Sequence, residues 1–209
     1  MSKCIDLSVS ALSKIPGDIG AKANWLYGRS DFRACLKATF ADGTVAMLMY
    51  RLMQFAGDYR LTPIEMLFNK LCIILGGCVI GRGAKFGDRF VLIHSNGVVI
   101  NGGVRGGNDL RIEHQVTIGA ERGKSPTLGN NVFVGAGAKI IGDLHVGNGA
   151  KIGANAVVTK SVSADATAVG VPAREIRQPK SPQQQQSVVD KTSQEGQSIS
   201  NQRLSDEPE

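Results

Sequence analysis

A six-residue period constrains this chain more than any other feature. Stepping by six from Leu128 gives Val134, Ile140, Val146, Ile152 and Val158, all aliphatic. Most are followed by a glycine: Gly129, Gly135, Gly147 and Gly153. Four residues after each aliphatic position come Val132, Ala138, Leu144, Ala150, Ala156 and Val162. Two upstream blocks share the frame: Ile80, Phe86 and Leu92, then Ile100, Gly106, Ile112 and Ile118. The frame slips by two residues between Leu92 and Ile100, and by four between Ile118 and Leu128. A period of six fits neither the helical 3.6 nor the simple strand period of two. It fits a chain that makes a short strand, turns and repeats, so that three hexads close one triangular coil. Aliphatic and fifth-position side chains then point inward, and coils stack at the strand spacing of roughly 4.7–4.9 Å. About fifteen hexads predict about five coils. The recurring glycines, in register, are turn residues rather than a phosphate loop.

The rest of the chain divides around this repeat. Residues 1–76 read as helical, residues 77–176 as the repeat, and residues 177–209 as a polar tail too poor in apolar residues to pack. Ser30-Asp31 predicts a cap for a helix over Arg33–Thr39. Asp42-Gly43-Thr44 precedes a second helix over Val45–Phe55, with Ala56-Gly57 as its stop. Thr62-Pro63-Ile64-Glu65 starts a third, with Thr62 as cap, ending at Gly76-Gly77. Tyr50, Met47, Met49 and Met53 are expected to pack against the repeat rather than to touch a membrane. Met1–Pro16 has no continuous apolar stretch, and the runs Val45–Tyr50 and Leu71–Leu75 are too short to span a bilayer. A cytoplasmic location follows as the expectation. Cys4, Cys35, Cys72 and Cys78 form no CxxC pair and no metal-spaced Cys/His cluster, so reduced thiols and no metal are expected.

The net charge of +6 is uneven: the last 29 residues sum to −3 and the body to +9. A basic body suits an anionic partner. Without an aromatic-interleaved basic stripe, nucleic acid is not the expected one. A phosphorylated cofactor is.

Defects in a regular repeat point to function, because a regular rung needs only packing. His94 is the third residue of the hexad starting at Leu92, and His114 of the hexad starting at Ile112, one coil later. Both should lie on one face, in adjacent coils, near the inserted segment 120–127. An imidazole held at a groove suits a general base acting on a hydroxyl. His94 is therefore the candidate base and His114 a second site residue; His145, beside a turn, is a surface residue.

From Val79 to Arg177 the chain resembles the serine acetyltransferase branch of the hexapeptide-repeat acyltransferases. The matching segments are Ile80–Lys85, Ile93–Ile100, Val116–Gly119, Gly135–Lys139 and Gly170-Val171-Pro172-Ala173-Arg174. The resemblance implies a mainly β chain, a left-handed parallel β-helix of hexapeptide repeats after a small α-helical N-terminal region. It implies an acetyl-CoA-dependent O-acetyltransferase and a homotrimer with coenzyme A between neighbouring subunits. His94 would deprotonate the acceptor, and Ala136, Ala154, Thr159, Lys160 and Arg174 would contact the cofactor. The family's Asp before the catalytic His is Ile93 here, its upstream orienting Asp is Val79, and its Asp-Arg-His-Pro is Gly123-Lys124-Ser125-Pro126. The groups that grip a serine are thus largely missing. Tyr50-Arg51, Val98–Asn101 and His114–Gly119 resemble the colanic-acid-type polysaccharide acetyltransferases more closely, so a sugar hydroxyl is the expected acceptor, with serine the alternative. His114, Asp109 or Glu113 is expected to replace the missing orienting Asp. A non-catalytic scaffold is the reading of another class.

Overall fold

The computed structural model of the protein describes residues 11–176; the tail, Cys4 and the first ten residues lie outside them. A 3₁₀ turn at Ala11–Lys14 leads into α1 (Ile15–Tyr27), α2 (Phe32–Thr39), α3 (Thr44–Asp58) and α4 (Thr62–Gly76). Fifteen short strands follow, β1 (Val79–Ile80) to β15 (Arg174–Ile176). They form the three walls of a left-handed prism: β1-β4-β7-β10-β13 in wall A, β2-β5-β8-β11 in wall B, and β3-β6-β9-β12-β14 in wall C, with β15 antiparallel at its end. Pairing within each wall is otherwise parallel and links each strand to the one a full coil later, as in Ile100↔Ile118 and Ile118↔Ile140. Four coils are complete. In the fifth, wall B shrinks to the single bridge between Val146 and Val162.

The hexad residues behave as their period requires. Ile80, Ile100, Ile118, Ile140 and Val158 form one buried column, and Leu92, Ile112, Val134, Ile152 and Ala168 another. Gly106 interrupts the third column because the ring of Phe86 already fills its space: a Cβ there would lie 2.5 Å from Phe86 Cδ1. Phe86 in turn stacks on Phe90, with ring centroids 4.5 Å apart.

The helices close the lower end of the prism. The first coil has no coil beneath it, so its downward carbonyls need partners. Side chains supply them. Tyr50 Oη donates to the Ala84 carbonyl at 3.2 Å and accepts from the Phe86 N–H at 3.0 Å. Arg51 donates to the carbonyls of Phe86 and Gly87 at 3.1 and 2.6 Å, and Asn69 to that of Ile80 at 2.8 Å. Arg51 is fully buried and forms a two-point pair with Asp18 of α1 at 2.7 and 3.1 Å. Asp18 also accepts from the Phe90 N–H at 2.9 Å. Burial pushes the Asp18 carboxyl above its usual range, while Arg51 pulls it back. Met47, Tyr50 and Met53 are buried in this cap, in the same core as the coils.

Three details differ from the sequence reading. Helix α1 has a weak local signal, with Pro16, Gly17 and Gly20 in its first two turns, and is held by tertiary packing and by Asp18. The helix α3 runs through Ala56-Gly57 to Asp58, and the stop is left-handed Arg60 (φ 57°). The cap position of α4 is Leu61, with no side-chain cap; Thr62 lies inside the helix and Pro63 in its first turn. Asp31 does cap α2, accepting from the Ala34 N–H at 3.1 Å. Cys72 and Cys78 are buried free thiols with their sulfurs 3.4 Å apart, and Cys35 is half-buried. Among the described residues, no helix is long and apolar enough to cross a membrane.

Two substitutions test the cap. Asp18→Ala leaves a buried guanidinium without its counter-charge and should cost about 3–5 kcal/mol in denaturant unfolding. Tyr50→Phe keeps the ring but strands one buried N–H and one carbonyl, and should cost about 1–3 kcal/mol.

Candidate active site

The corner joining wall C to wall A carries the histidines. Its third hexad positions stack coil upon coil: His94 after β3 (Val91–Leu92), His114 after β6 (Arg111–Ile112), Ala136 after β9 (Phe133–Val134) and Ala154 after β12 (Lys151–Ile152). Backbone bonds tie the stack, from the Gly137 N–H to the His114 carbonyl at 2.9 Å and from Asn155 to Ala136 at 2.8 Å. The two imidazoles meet edge to face, with centroids 5.9 Å apart. The two-residue slip after Leu92 lies in this corner, as expected. The inserted segment does not. It leaves wall A after β7 (Thr117–Gly119), turns through a Glu121–Lys124 bridge, and joins wall B at β8 (Thr127–Leu128), one corner away. There Ser125 donates to Asn101 at 3.0 Å. The two frame defects fall at different corners because the strand of wall A separates them.

The carboxylate that meets His94 is Asp42, which sequence reasoning missed. It sits in the turn between α2 and α3, and its Oδ2 lies 2.9 Å from His94 Nδ1, across 52 residues of sequence. A carboxylate only accepts, so Nδ1 donates and Nε2 is left as the ring's proton acceptor. Gly43, at φ 79°, takes the N-cap position of α3 and frees Asp42 to face the first coil. The carboxylates expected from the sequence are engaged elsewhere. Asp109 accepts two bonds from Arg89, at 2.5 and 2.6 Å, and the guanidinium holds its carboxyl below the usual range. Glu113 Oε2 lies 3.5 Å from His114 Nδ1, so it faces the second imidazole and not His94. At the two positions where the resembled family carries Asp, Ile93 is buried and Val79 is exposed on wall A.

An open cleft of about 300 Å³ is lined by Asp42, His94, Asn96, His114 and Gln115. A proton acceptor, a carboxylate behind it and amide side chains beside it form an arrangement that can take a proton from a bound hydroxyl. Of the expected cofactor contacts, Ala136 and Ala154 continue the column above His114. Arg174, at the start of β15, sits at the upper end of this corner opposite Val169. Thr159 and Lys160 follow β13 (Val157–Val158) at the corner from wall A to wall B, and one chain does not bring them to the histidines. His145 lies in wall B, its Nδ1 3.0 Å from Thr127 Oγ1. Among the described residues, no group of three or more His, Cys, Asp or Glu is placed to hold a metal ion.

The profile of the bacterial transferase hexapeptide (six repeats) matches residues 125–160. A serine acetyltransferase of Helicobacter pylori (strain ATCC 700392 / 26695) is 42% identical over 138 residues, 64% of this chain and 81% of that protein. The chain belongs to the hexapeptide-repeat acyltransferases. A solved serine acetyltransferase in complex with CoA superposes with a TM-score of 0.72 at 29% identity, covering 80% of this chain and 70% of that one. A soybean serine acetyltransferase complexed with serine gives 0.70 at 28% identity, with the same coverages. Family membership makes the protein an acyltransferase and sets the scaffold reading aside. These relatives are serine acetyltransferases, and the expected closeness to the colanic-acid-type branch finds no support among them.

Asp42→Asn keeps the shape of the side chain and weakens its hold on His94. Acyl-transfer turnover should fall roughly ten- to hundredfold, less than the 10²–10⁴ that a general base contributes as a whole. Steady-state kcat checks this, with a melting curve showing that the fold is kept.

Proposed function

We propose that the protein transfers the acetyl group of acetyl-CoA to the hydroxyl of L-serine, with His94 as general base. The observation that carries this reading is the Asp42–His94 pair, 2.9 Å apart in an open cleft beside His114. The similarity to serine acetyltransferases supports the choice of donor and acceptor. Nε2 of His94 accepts the hydroxyl proton as the oxygen attacks the thioester carbonyl. The C–S bond then breaks, and the proton passes from the imidazolium to the departing thiolate. Asp42 holds the ring in the tautomer that can accept and stabilises the cation that forms. His114, 5.9 Å from His94 between ring centroids, borders the acceptor.

The donor lies along the column, where Ala136 and Ala154 leave space above the histidines. Arg174 and Lys160 supply cations for its phosphates, and Thr159 a hydroxyl. Lys160 and His94 stand at different corners of one prism, so a donor that touches both spans two chains. The working form in this reading is a homotrimer.

One observation favours a second acceptor. No residue lining the cleft carries a fixed positive charge for a carboxylate, which suits an uncharged hydroxyl such as that of a sugar. Thiol release from acetyl-CoA, measured with L-serine and with a panel of nucleotide-linked and oligomeric sugars, separates the two. Release with serine, lowered roughly 10²-fold or more in His94→Ala, is the expected result. Release with sugars alone would replace serine by the second reading. Equal rates in wild type and His94→Ala would remove His94 from the mechanism.

A further inference from the structure

Lys22 is a fully buried lysine, in the third turn of α1, beneath the Asp42–His94 pair. Its Nζ donates to two backbone carbonyls, that of Asp42 and that of Leu92, the latter at 2.8 Å. Those two residues are the anchors of the dyad. Asp42 carries the carboxylate on its own side chain, and Leu92 ends the strand whose next residue but one is His94. The contacts close a ring: ammonium, Asp42 carbonyl, Asp42 carboxylate, His94 imidazole, the backbone of Ile93, and the Leu92 carbonyl back to the ammonium. Gly43 lets the ring close. It adopts φ 79°, and a Cβ there would stand 2.6 Å from the Leu92 carbonyl oxygen and 3.0 Å from Lys22 Nζ. The turn and the strand therefore approach as closely as backbone allows, with the ammonium between them.

We propose that Lys22 is a positioning residue for acetyl transfer: its buried ammonium ties the Asp42 turn to the end of β3 and thereby sets the Asp42 carboxylate on His94 Nδ1. The inference rests on His94 acting as the base. The other role open to Lys22 is to satisfy an edge carbonyl, as Tyr50 and Asn69 do elsewhere under the first coil. The second bond, to Asp42, is what an edge cap does not require. Asp42 is held at both its backbone carbonyl, by Lys22, and its side-chain carboxylate, by His94. Burial lowers the Lys22 pKa to about 8, against the opposing charge of Asp42, so at neutral pH the group keeps its positive charge and all three N–H donors.

A double-mutant cycle on kcat distinguishes the two roles. The full-length enzyme is assayed by thiol release from acetyl-CoA, with the acceptor of highest turnover in the panel above. Lys22→Met should lower kcat roughly tenfold while leaving the KM for acetyl-CoA within about twofold. Combined with Asp42→Asn, it should lower kcat no further than Asp42→Asn alone, because both act through one contact. Gly43→Ala, which pushes the turn away from Leu92 with Lys22 intact, should reproduce the loss, and it carries the test if Lys22→Met does not fold. Losses that multiply in the double variant, or a wild-type kcat in Lys22→Met or in Gly43→Ala, would overturn the inference. His94→Ala is assayed in parallel. If it retains turnover, the base assignment has failed; if it is inactive while the Lys22 and Asp42 losses multiply, the positioning role alone has failed.

Discussion

The unpaired lower edge of the first coil shapes the whole arrangement. Parallel coils satisfy one another through backbone bonds, but the first has no neighbour below, and a buried carbonyl without a donor costs about 1–3 kcal/mol. The helices meet that requirement with polar side chains: Tyr50, Arg51, Asn69 and Lys22 each donate to a carbonyl of the first coil. Apolar packing of Met47 and Met53 alone would cover the coil and leave those groups unbonded. The Arg51–Asp18 pair then holds α1 and α3 together at fixed spacing under the coil.

The candidate active site is a consequence of this cap. His94 belongs to the first coil, the coil that the helices touch. The same turn that brings α2 to α3 passes under its corner, so a carboxylate from the helical region reaches an imidazole from the repeat. Helical region and β-helix are therefore not a handle and a catalytic body. Half of the pair comes from each, and Lys22 bridges them by donating to the carbonyl of Asp42 itself and to that of Leu92, two residues before His94. The second and later coils supply His114 and then alanines, so the column changes from reactive side chains to open space as it rises.

The repeat was legible because each hexad states the same local rule. The columns through Ile118 and Ile112 could be written down before any coordinates, and the pairing of His94 with His114 followed from counting hexads. What could not be counted was anything that crosses between regions. Asp42 read as a residue ahead of a helix; its link to His94 depends on how α2 and α3 pack, which no period encodes. The available signal was Asp-Gly at a helix junction, where glycine can take a left-handed turn and free the preceding side chain. Missing carboxylates at positions 79 and 93 imply a substitute, but the expected ones, His114, Asp109 and Glu113, all lie in the repeat itself. The inserted segment was placed beside the histidines for a similar reason: proximity along the chain stood in for which corner of the triangle it leaves. The acceptor also followed local departures from a motif, whereas similarity over 138 residues points to serine acetyltransferases.

The central claim is that the helical cap supplies the carboxylate that sets the His94 tautomer. Nitrogen-15 NMR of the histidine ring in the full-length protein tests it directly, at a pH where the imidazole is neutral. The account predicts that His94 carries its proton on Nδ1 and that Asp42→Asn shifts the ring toward the distribution of a free imidazole. A His94 ring protonated on Nε2 in the wild type, or one unchanged by Asp42→Asn, would contradict it.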